Sequence, residues 1–161
     1  MRLNSSAEAA LHIMLVLAAA PEKREIAATD IAAFHDLSAN TLAKVLKQLR
    51  AAGVITGSPG RTGGYALAKN PNNISVLDVV SALDGVEPIF HCREIRRNGP
   101  CAAQSGYSPR CAIARTMDKA TQAWRQTLST VTMADLLDQV GEETPVSTRT
   151  KSKEWLNTHS R

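Results

Sequence analysis

The fold is decided by residues 38–67, which read SANTLAKVLKQLRAAGVITGSPGRTGGYAL. Ser38 is a favoured N-cap residue and Gly53 is a favoured residue after a helix C-terminus, so we predict a helix from Ala39 to about Ala52. Four apolar residues recur with the spacing of one buried helical face: Leu42, Val45, Leu46 and Leu49. The opposite face is polar and carries Asn40, Thr41, Lys44, Lys47 and Gln48. This pattern is typical of an amphipathic helix packed on a core.

A β-hairpin is predicted directly after this helix. Two short strand-like runs, 54–56 and 65–67, flank eight residues that include four glycines and a proline. Arg61 lies at the tip of this hairpin, and a short helix at 28–35 precedes the turn into the helix that begins at Ala39. Helix, turn, helix and basic-tipped hairpin is the order of a winged helix-turn-helix. We therefore predict a mainly α fold with a small β-hairpin wing.

Further helices are predicted on both sides of this unit. Ser5 and Glu8 form a capping-box pattern for a first helix that runs to about Ala19. Residues 73–84 carry apolar residues at helical spacing, and Gly85 ends that helix. The winged unit is therefore expected to pack between an N-terminal helix and this later one.

A long helix is predicted from Cys111 to about Thr130. Its apolar stripe has near-heptad spacing and consists of Ile113, Met117, Ala120, Trp124, Leu128 and Val131. So small a domain cannot cover this stripe alone, and we expect a homodimer. A short helix is predicted at 133–140, while residues 141–161 are polar and rich in turn formers, so we expect them to be disordered.

Charge is distributed unevenly along the chain, whose net charge is +4. Residues 37–77 contain no acid and five cations, namely Lys44, Lys47, Arg50, Arg61 and Lys69. A surface of one sign is typical of phosphate binding, so double-stranded DNA is the expected partner. The residues expected to reach base edges are Ser38, Asn40, Thr41 and Lys44. Lys47 and Arg50 are expected to meet phosphates, and Arg61 is expected to enter the minor groove.

Composition argues against several other classes of protein. No apolar run reaches the roughly eighteen residues of a membrane span. No nucleophile–base constellation, phosphate loop or pair of catalytic carboxylates is evident, so we do not expect an enzyme. The only cysteines are Cys92, Cys101 and Cys111, too few for a disulfide scaffold. We expect a cytoplasmic protein, and there clustered cysteines more often bind metal or undergo redox chemistry.

Several of these segments resemble the IscR/NsrR/RsrR family of winged-helix regulators. They are residues 1–3 (MRL), 37–38 (LS), 60–65 (GRTGGY) and 74–80 (ISVLDVV). The resemblance covers about residues 1–140 and implies a homodimer with an iron–sulfur cluster near the dimer interface, whose state sets DNA affinity. We expect the chain to divide into a DNA-binding domain at 1–85, a cluster-binding loop at 86–110, a dimerisation helix at 111–140 and a disordered tail at 141–161.

The segments around the cysteines are similar to the RsrR branch of that family. They are residues 8–12 (EAALH), 92–96 (CREIR), 99–100 (GP) and 111–115 (CAIAR). This similarity implies a [2Fe–2S] cluster held by Cys92 and Cys111 of one subunit together with Glu8 and His12 from the other. Cys101 has no counterpart among those ligands. Many family members space three cysteines about five residues apart, whereas here eight and nine residues separate them.

The residues themselves leave alternatives open. Glu8 also fits a cap on the first helix, and His12 also fits a core histidine at a helix interface. Two other sensors remain: a [4Fe–4S] regulator that uses all three cysteines, Cys101 included, plus Glu8, and a cluster-free regulator that switches by thiol–disulfide exchange. A winged-helix scaffold that binds only proteins is a further alternative, against which the acid-free stretch 37–77 argues.

Overall fold

The fold was obtained as a computed structural model, which describes residues 6–21, 24–60, 63–85, 87–88, 90–103 and 105–161. Within these ranges the chain forms seven α-helices: α1 (Ala7–Ala19), α2 (Ala28–Phe34), α3 (Ala39–Ala51), α4 (Val76–Asp84), α5 (Ala112–Ser129), α6 (Met133–Glu143) and α7 (Val146–His159). An antiparallel sheet pairs β1 (Ile55–Gly57) with β2 (Tyr65–Leu67). The expected mainly α fold with a small hairpin wing is confirmed. None of the helices described is long and apolar enough to cross a membrane.

Helix α3 forms where the sequence predicts it. The backbone N–H of Thr41 donates to Ser38 Oγ at 3.2 Å, so Ser38 is the N-cap. The predicted apolar face is buried in the main core against α1. Gln48 differs from expectation: its side-chain amide donates to the Leu83 carbonyl at 3.3 Å, so this residue joins α3 to α4 instead of facing solvent.

The β-hairpin wing is held at its base by Glu25. Ser58 Oγ donates to Glu25 Oε1 at 2.6 Å, and the backbone N–H of Gly64 donates to Glu25 Oε2 at 3.1 Å. One carboxylate therefore joins both sides of the hairpin to the segment that precedes α2. Arg61, at the predicted tip, lies outside the described residues.

The backbone of Ile26 pairs with strand β2 and so adds a third segment to this small sheet. It exchanges two hydrogen bonds with Tyr65, of 3.0 Å and 2.8 Å. The backbones run so close that a Cβ atom on Gly64 would lie 2.8 Å from the carbonyl oxygen of Ile26. Residue 64 must therefore be glycine, because there is no room for a Cβ atom.

The sequence predicts a helix that begins at residue 73, but helix α4 begins only at Val76. Ser75 and Asp78 form a reciprocal capping box, in which the N–H of Asp78 donates to Ser75 Oγ at 3.1 Å and the N–H of Ser75 donates to Asp78 Oδ2 at 2.8 Å. Residues Pro71–Asn73 form a separate 3₁₀ turn before it. At α1 the N-cap position is Ser6, while Ser5 of the predicted capping box lies outside the described residues.

The expectation of a disordered tail at 141–161 is wrong. Helix α6 extends to Glu143 and α7 occupies most of the remainder. Leu156 is buried in the main core, and the Trp155 ring meets Phe34 of α2 edge to face at 4.9 Å. Only two large apolar residues anchor this otherwise polar helix. Hydrophobic periodicity was therefore too weak to predict it.

We expect Gly64→Ala to destabilise the protein by about 1–3 kcal/mol, the usual cost of overpacking a close contact. The added methyl would collide with the backbone of residue 26, which cannot move without breaking its bonds to Tyr65. Thermal unfolding followed by circular dichroism measures the change.

Gly141→Ala is the matched control. Gly141 lies within α6, and a Cβ atom there meets nothing within 4 Å, so alanine should leave stability unchanged or raise it by roughly 0.5–1 kcal/mol. Equal melting temperatures for the two variants would show that the close approach at residue 64 is not constraining.

Candidate nucleic-acid interface and thiol site

The N-terminal turn of α3 presents a polar surface. Asn40 and Lys44 are exposed, whereas Thr41 is half-buried. The Ser38 hydroxyl donates to Thr41 Oγ1 at 2.9 Å, so these two hydroxyls are occupied with each other at the helix start. Asn40 and Lys44 are therefore the most accessible of the four residues expected at base edges.

The cations of α3 lie beside the wing strand. Lys47 and Arg50 are exposed, and together with Tyr65 of β2 they line a shallow groove between α3 and the hairpin. No ion pair among the described residues involves either cation. Two uncompensated cations at this junction suit contact with a phosphate backbone.

The structure brings Cys92 and Cys111 together at the start of α5. Cys111 is the N-cap residue of that helix. Its pKa is lowered chiefly by the backbone N–H groups of Ala114 and Ile113, and further by the Cys92 thiol and the charge of Arg96, while burial acts in the opposite direction. A lowered thiol pKa favours the thiolate, which is both the nucleophile and the metal ligand.

Glu94 is a member of this thiol site that sequence reasoning missed. The Cys92 thiol donates to Glu94 Oε1 at 3.6 Å, and Glu94 adopts a left-handed conformation with φ of 52°. Its other oxygen forms an ion pair with Arg96 at 2.8 Å. The hydrogen bond from Arg96 is the main reason that the pKa of Glu94 is lowered. A carboxylate two residues after a candidate thiol ligand was the available sequence signal.

Arg96 links the segment after Cys92 to the segment before Cys111. It donates to the Ser108 carbonyl at 2.6 Å, and its guanidinium lies 5.0 Å from the centre of the Tyr107 ring. The Tyr107 hydroxyl donates to the Arg96 carbonyl at 2.6 Å. These contacts fix the loop around Cys92 with few apolar residues.

Cys101 differs from the other two cysteines in its exposure to solvent. It is exposed, whereas Cys92 and Cys111 are half-buried. The three residues are all free thiols. The two cysteines that the resemblance assigns as ligands are therefore the two that are half-buried.

Glu8 and His12 lie on the exposed surface of α1, one helical turn apart. The alternative of a core histidine is wrong, because His12 is exposed and meets the His35 ring at 4.8 Å. The pKa of His35 is lowered by burial and then by His12. Within one subunit, no cluster of three or more His, Cys, Asp or Glu side chains among the described residues is arranged to hold a metal. The thiol pair and the Glu8–His12 pair are thus separate.

Comparison with known proteins gives a consistent family match. Residues 3–139 match the Rrf2 family, whose members are described as iron-dependent transcriptional regulators. YffB of Lactococcus lactis, named as a helix-turn-helix-type transcriptional regulator, is 32% identical over 139 residues, which cover 86% of this chain and 88% of YffB.

Two solved structures share the fold. CymR of B. subtilis, called the global cysteine regulator, matches with a TM-score of 0.63 at 23% identity and covers 86% of this chain and 98% of its own. IscR of T. potens matches with a TM-score of 0.66 at 20% identity, over 91% of this chain and 93% of its own. At these identities the two structures establish the fold alone.

We expect Lys47→Ala to weaken binding to all duplex sequences and to reduce the slope of log affinity against log salt by about 1, the effect of removing one lysine from a phosphate.

Asn40→Ala should instead change base preference, at a cost of about 1–3 kcal/mol at the site that it contacts. Fluorescence anisotropy with a set of duplexes at several salt concentrations measures both effects. Lys119→Ala, which removes the same charge from the exposed face of α5, is the control, and equal behaviour of the two lysine variants would contradict the α3 assignment.

Proposed function

Because this chain belongs to the Rrf2 family of transcriptional regulators, we propose that it is a homodimeric DNA-binding regulator that senses redox or nitrosative state through a [2Fe–2S] cluster. Its relatives are transcriptional regulators, not enzymes. We further propose that it acts in the cytoplasm on an operator in double-stranded DNA. The observation that carries the cluster proposal is the half-buried Cys111 at the N-cap of α5, where backbone N–H groups and the nearby Cys92 thiol lower its pKa.

The chemistry of the thiol site suits one side of such a cluster. Both thiols are half-buried, which limits access of solvent. The N–H groups of residues 113 and 114 and the guanidinium of Arg96 all favour negative charge on Cys111. Iron–sulfur irons are held by thiolates, and hydrogen bonds to the sulfurs tune the reduction potential. When bound, the cluster would supply a one-electron redox change.

The second pair of ligands is proposed to come from the other subunit. Glu8 and His12 are exposed one turn apart on α1, so one iron is within reach of both side chains. They are separate from the thiols within one subunit, which supports a site that is completed by dimerisation. Imidazole ligands raise the potential of such clusters, and a carboxylate is a labile ligand.

The dimer interface is proposed to lie on α5. Ile113 is 65% exposed, and Trp124 and Leu128 of the same apolar stripe are only half-buried. A surface of this kind on a helix of 18 residues gains most from a second copy. Because Cys111 caps the same helix, this placement puts the thiols close to the proposed interface.

The DNA contacts proposed for this regulator follow the exposed surface of α3. Asn40 and Lys44 would read bases, with Ser38 and Thr41 at the edge of the contact, and Lys47 and Arg50 would meet phosphates. Arg61 is proposed for the minor groove from the sequence alone. Uncompensated charge on Lys47 and Arg50 supports this division of roles.

A cluster-free thiol switch is the second candidate, because Cys92 and Cys111 already contact each other. Their oxidation would join the two sulfurs, release two protons and pass two electrons to an oxidant. A [4Fe–4S] cluster on all three cysteines plus Glu8 is a weaker candidate, since Cys101 is exposed whereas the other two cysteines are half-buried.

We expect Cys101→Ala to keep the visible spectrum of a [2Fe–2S] cluster and its redox-dependent DNA binding, because Cys101 is not a proposed ligand. Cys111→Ala should abolish cluster binding, since it removes a thiolate that no neighbouring group replaces. Glu8→Ala and His12→Ala should retain a weakened cluster with altered spectra. Absorption spectra with iron and sulfide counts, on protein purified without oxygen, measure the outcome.

Two results would contradict the ligand assignment in different ways. An absent cluster in Cys101→Ala with His12→Ala unaffected would favour a three-cysteine site. Colourless, iron-free protein from an anaerobic preparation would exclude the cluster and leave the thiol switch.

We expect Trp124→Glu to give monomers, because a buried carboxylate at the proposed interface would be unpaired. Gln126→Glu adds the same charge on an exposed part of α5 and should leave the dimer intact. Sedimentation velocity distinguishes the two states. A monomeric parent protein, or a dimeric Trp124→Glu variant, would place the interface elsewhere.

A further inference from the structure

Helix α7 lies beyond residues 3–139, the part of the chain that the family accounts for. Residues 146–161 carry four cations (Arg149, Lys151, Lys153 and Arg161) and one acid (Glu154). They therefore contribute a net charge of +3, while the whole chain has +4. This helix and its C-terminal end are therefore a second basic segment, besides the acid-free stretch 37–77.

Two cations of α7, Arg149 and Lys153, lie one turn apart on one face of the helix, whereas Lys151 lies on another face. Arg149, Lys153 and Asn157 are exposed and follow each other at intervals of four residues, and Arg161 is exposed just after the helix ends. This set is called the α7 stripe below. Like charges four residues apart destabilise an isolated helix slightly. No ion pair among the described residues involves a cation of the stripe. Stability of the helix therefore does not explain the stripe.

Side chains on a face next to the stripe fix α7 to the rest of the protein. Leu156 is buried, and Trp155 packs between Phe34 of α2 at 4.9 Å and His159 at 4.1 Å. The stripe is thus displayed from a docked helix and not from a free tail.

The C-terminal end of α7 joins the sheet that carries the wing. The N–H of Arg161 donates to the Glu25 carbonyl and the N–H of Glu25 donates to the Arg161 carbonyl, each at 2.9 Å. Ser160 pairs with Ile26, which pairs in turn with Tyr65 of β2. The segment of residues 25–26 therefore lies between the C-terminal residues 160–161 and strand β2 of the wing. Arg161, at the end of α7, is thus near the wing.

We propose that α7 is a second DNA-contacting element, in which the stripe binds the sugar–phosphate backbone beside the contacts of α3 and the wing. A row of uncompensated cations fits the regular negative charge of duplex DNA. The backbone pairing of residues 160 and 161 with residues 25 and 26 places the C-terminal end of the stripe near the wing. This proposal rests on DNA binding by the protein and is independent of which cluster, if any, it holds.

The test compares two double variants that each remove two positive charges. Arg149→Gln/Lys153→Gln neutralises the central cations of the stripe, while Lys119→Gln/Lys151→Gln removes charges from α5 and from another face of α7, where the side chains are also exposed. The probe is a duplex of arbitrary sequence of about 40 base pairs, roughly four helical turns. Binding is measured by anisotropy from low to high salt, with protein kept anaerobic and, in parallel, after removal of any metal.

We expect the stripe variant to bind more weakly, and its slope of log affinity against log salt to fall by about 0.9 for each phosphate that the protein no longer neutralises. The control double variant should show a much smaller change. Arg149→Lys/Lys153→Arg, which keeps both charges, should bind like the parent. Circular dichroism should confirm unchanged folding, because all these side chains are exposed.

Trp155→Ala separates contact with DNA from support of the fold. It removes the packing on Phe34, so α7 should lose its fixed position and DNA affinity should fall even though every cation remains. If Trp155→Ala weakens binding while the stripe variant matches the control, α7 only supports the wing and the proposal is overturned. Equal slopes for the stripe variant and the parent would overturn it as well. An absent cluster in either preparation would affect the sensor proposal and leave this comparison intact.

Discussion

The backbone pairing of Ile26 is the constraint on which the arrangement of this protein depends. This residue is fully buried and exchanges two hydrogen bonds with Tyr65 of the wing. It also lies opposite Ser160 in a β-bridge, beside the two hydrogen bonds that join Glu25 to Arg161. Its neighbour Glu25 holds the hairpin through Ser58 and Gly64. A two-residue segment thereby fixes the wing, the start of the helix-turn-helix and the last helix relative to one another. Backbone bonds are short and directional, so a displacement of any one of the three is transmitted to the others.

The winged unit could be predicted from sequence because its signals are local. The cap at Ser38, the apolar face of α3 and the glycine-rich turn each lie within a few residues of the structure that they specify. What the sequence did not reveal depends on partners far along the chain. Gln48 bonds to a carbonyl 35 residues away, and the close approach at Gly64 involves a backbone 38 residues before it.

The candidate site shows the same division between local and distant contacts. The assignment of Cys92 and Cys111 as ligands came from family resemblance and stays a prediction, and spacing alone did not distinguish Cys101 from them. In the structure the Cys92 thiol helps to lower the pKa of Cys111, and Cys101 is exposed. Glu94 was missed because its role depends on a left-handed backbone and on the position of Arg96. Helix α7 was missed because it lacks the apolar face that marks most helices in a sequence. It is held instead by backbone pairing with residues 25 and 26 and by the side chains of Trp155 and Leu156.

The position of Cys111 has an electrostatic consequence for α5 as a whole. The aligned peptide dipoles of a helix place partial positive charge at its N-terminus, where an anion stabilises the helix by about 0.3–1 kcal/mol. A thiolate at Cys111 is such an anion, and the helix that it stabilises carries the apolar stripe. Protonation, alkylation or disulfide formation at this sulfur removes the charge and weakens the first turn. The chemical state of one sulfur atom is therefore coupled to the rigidity of the helix that carries the proposed dimer surface.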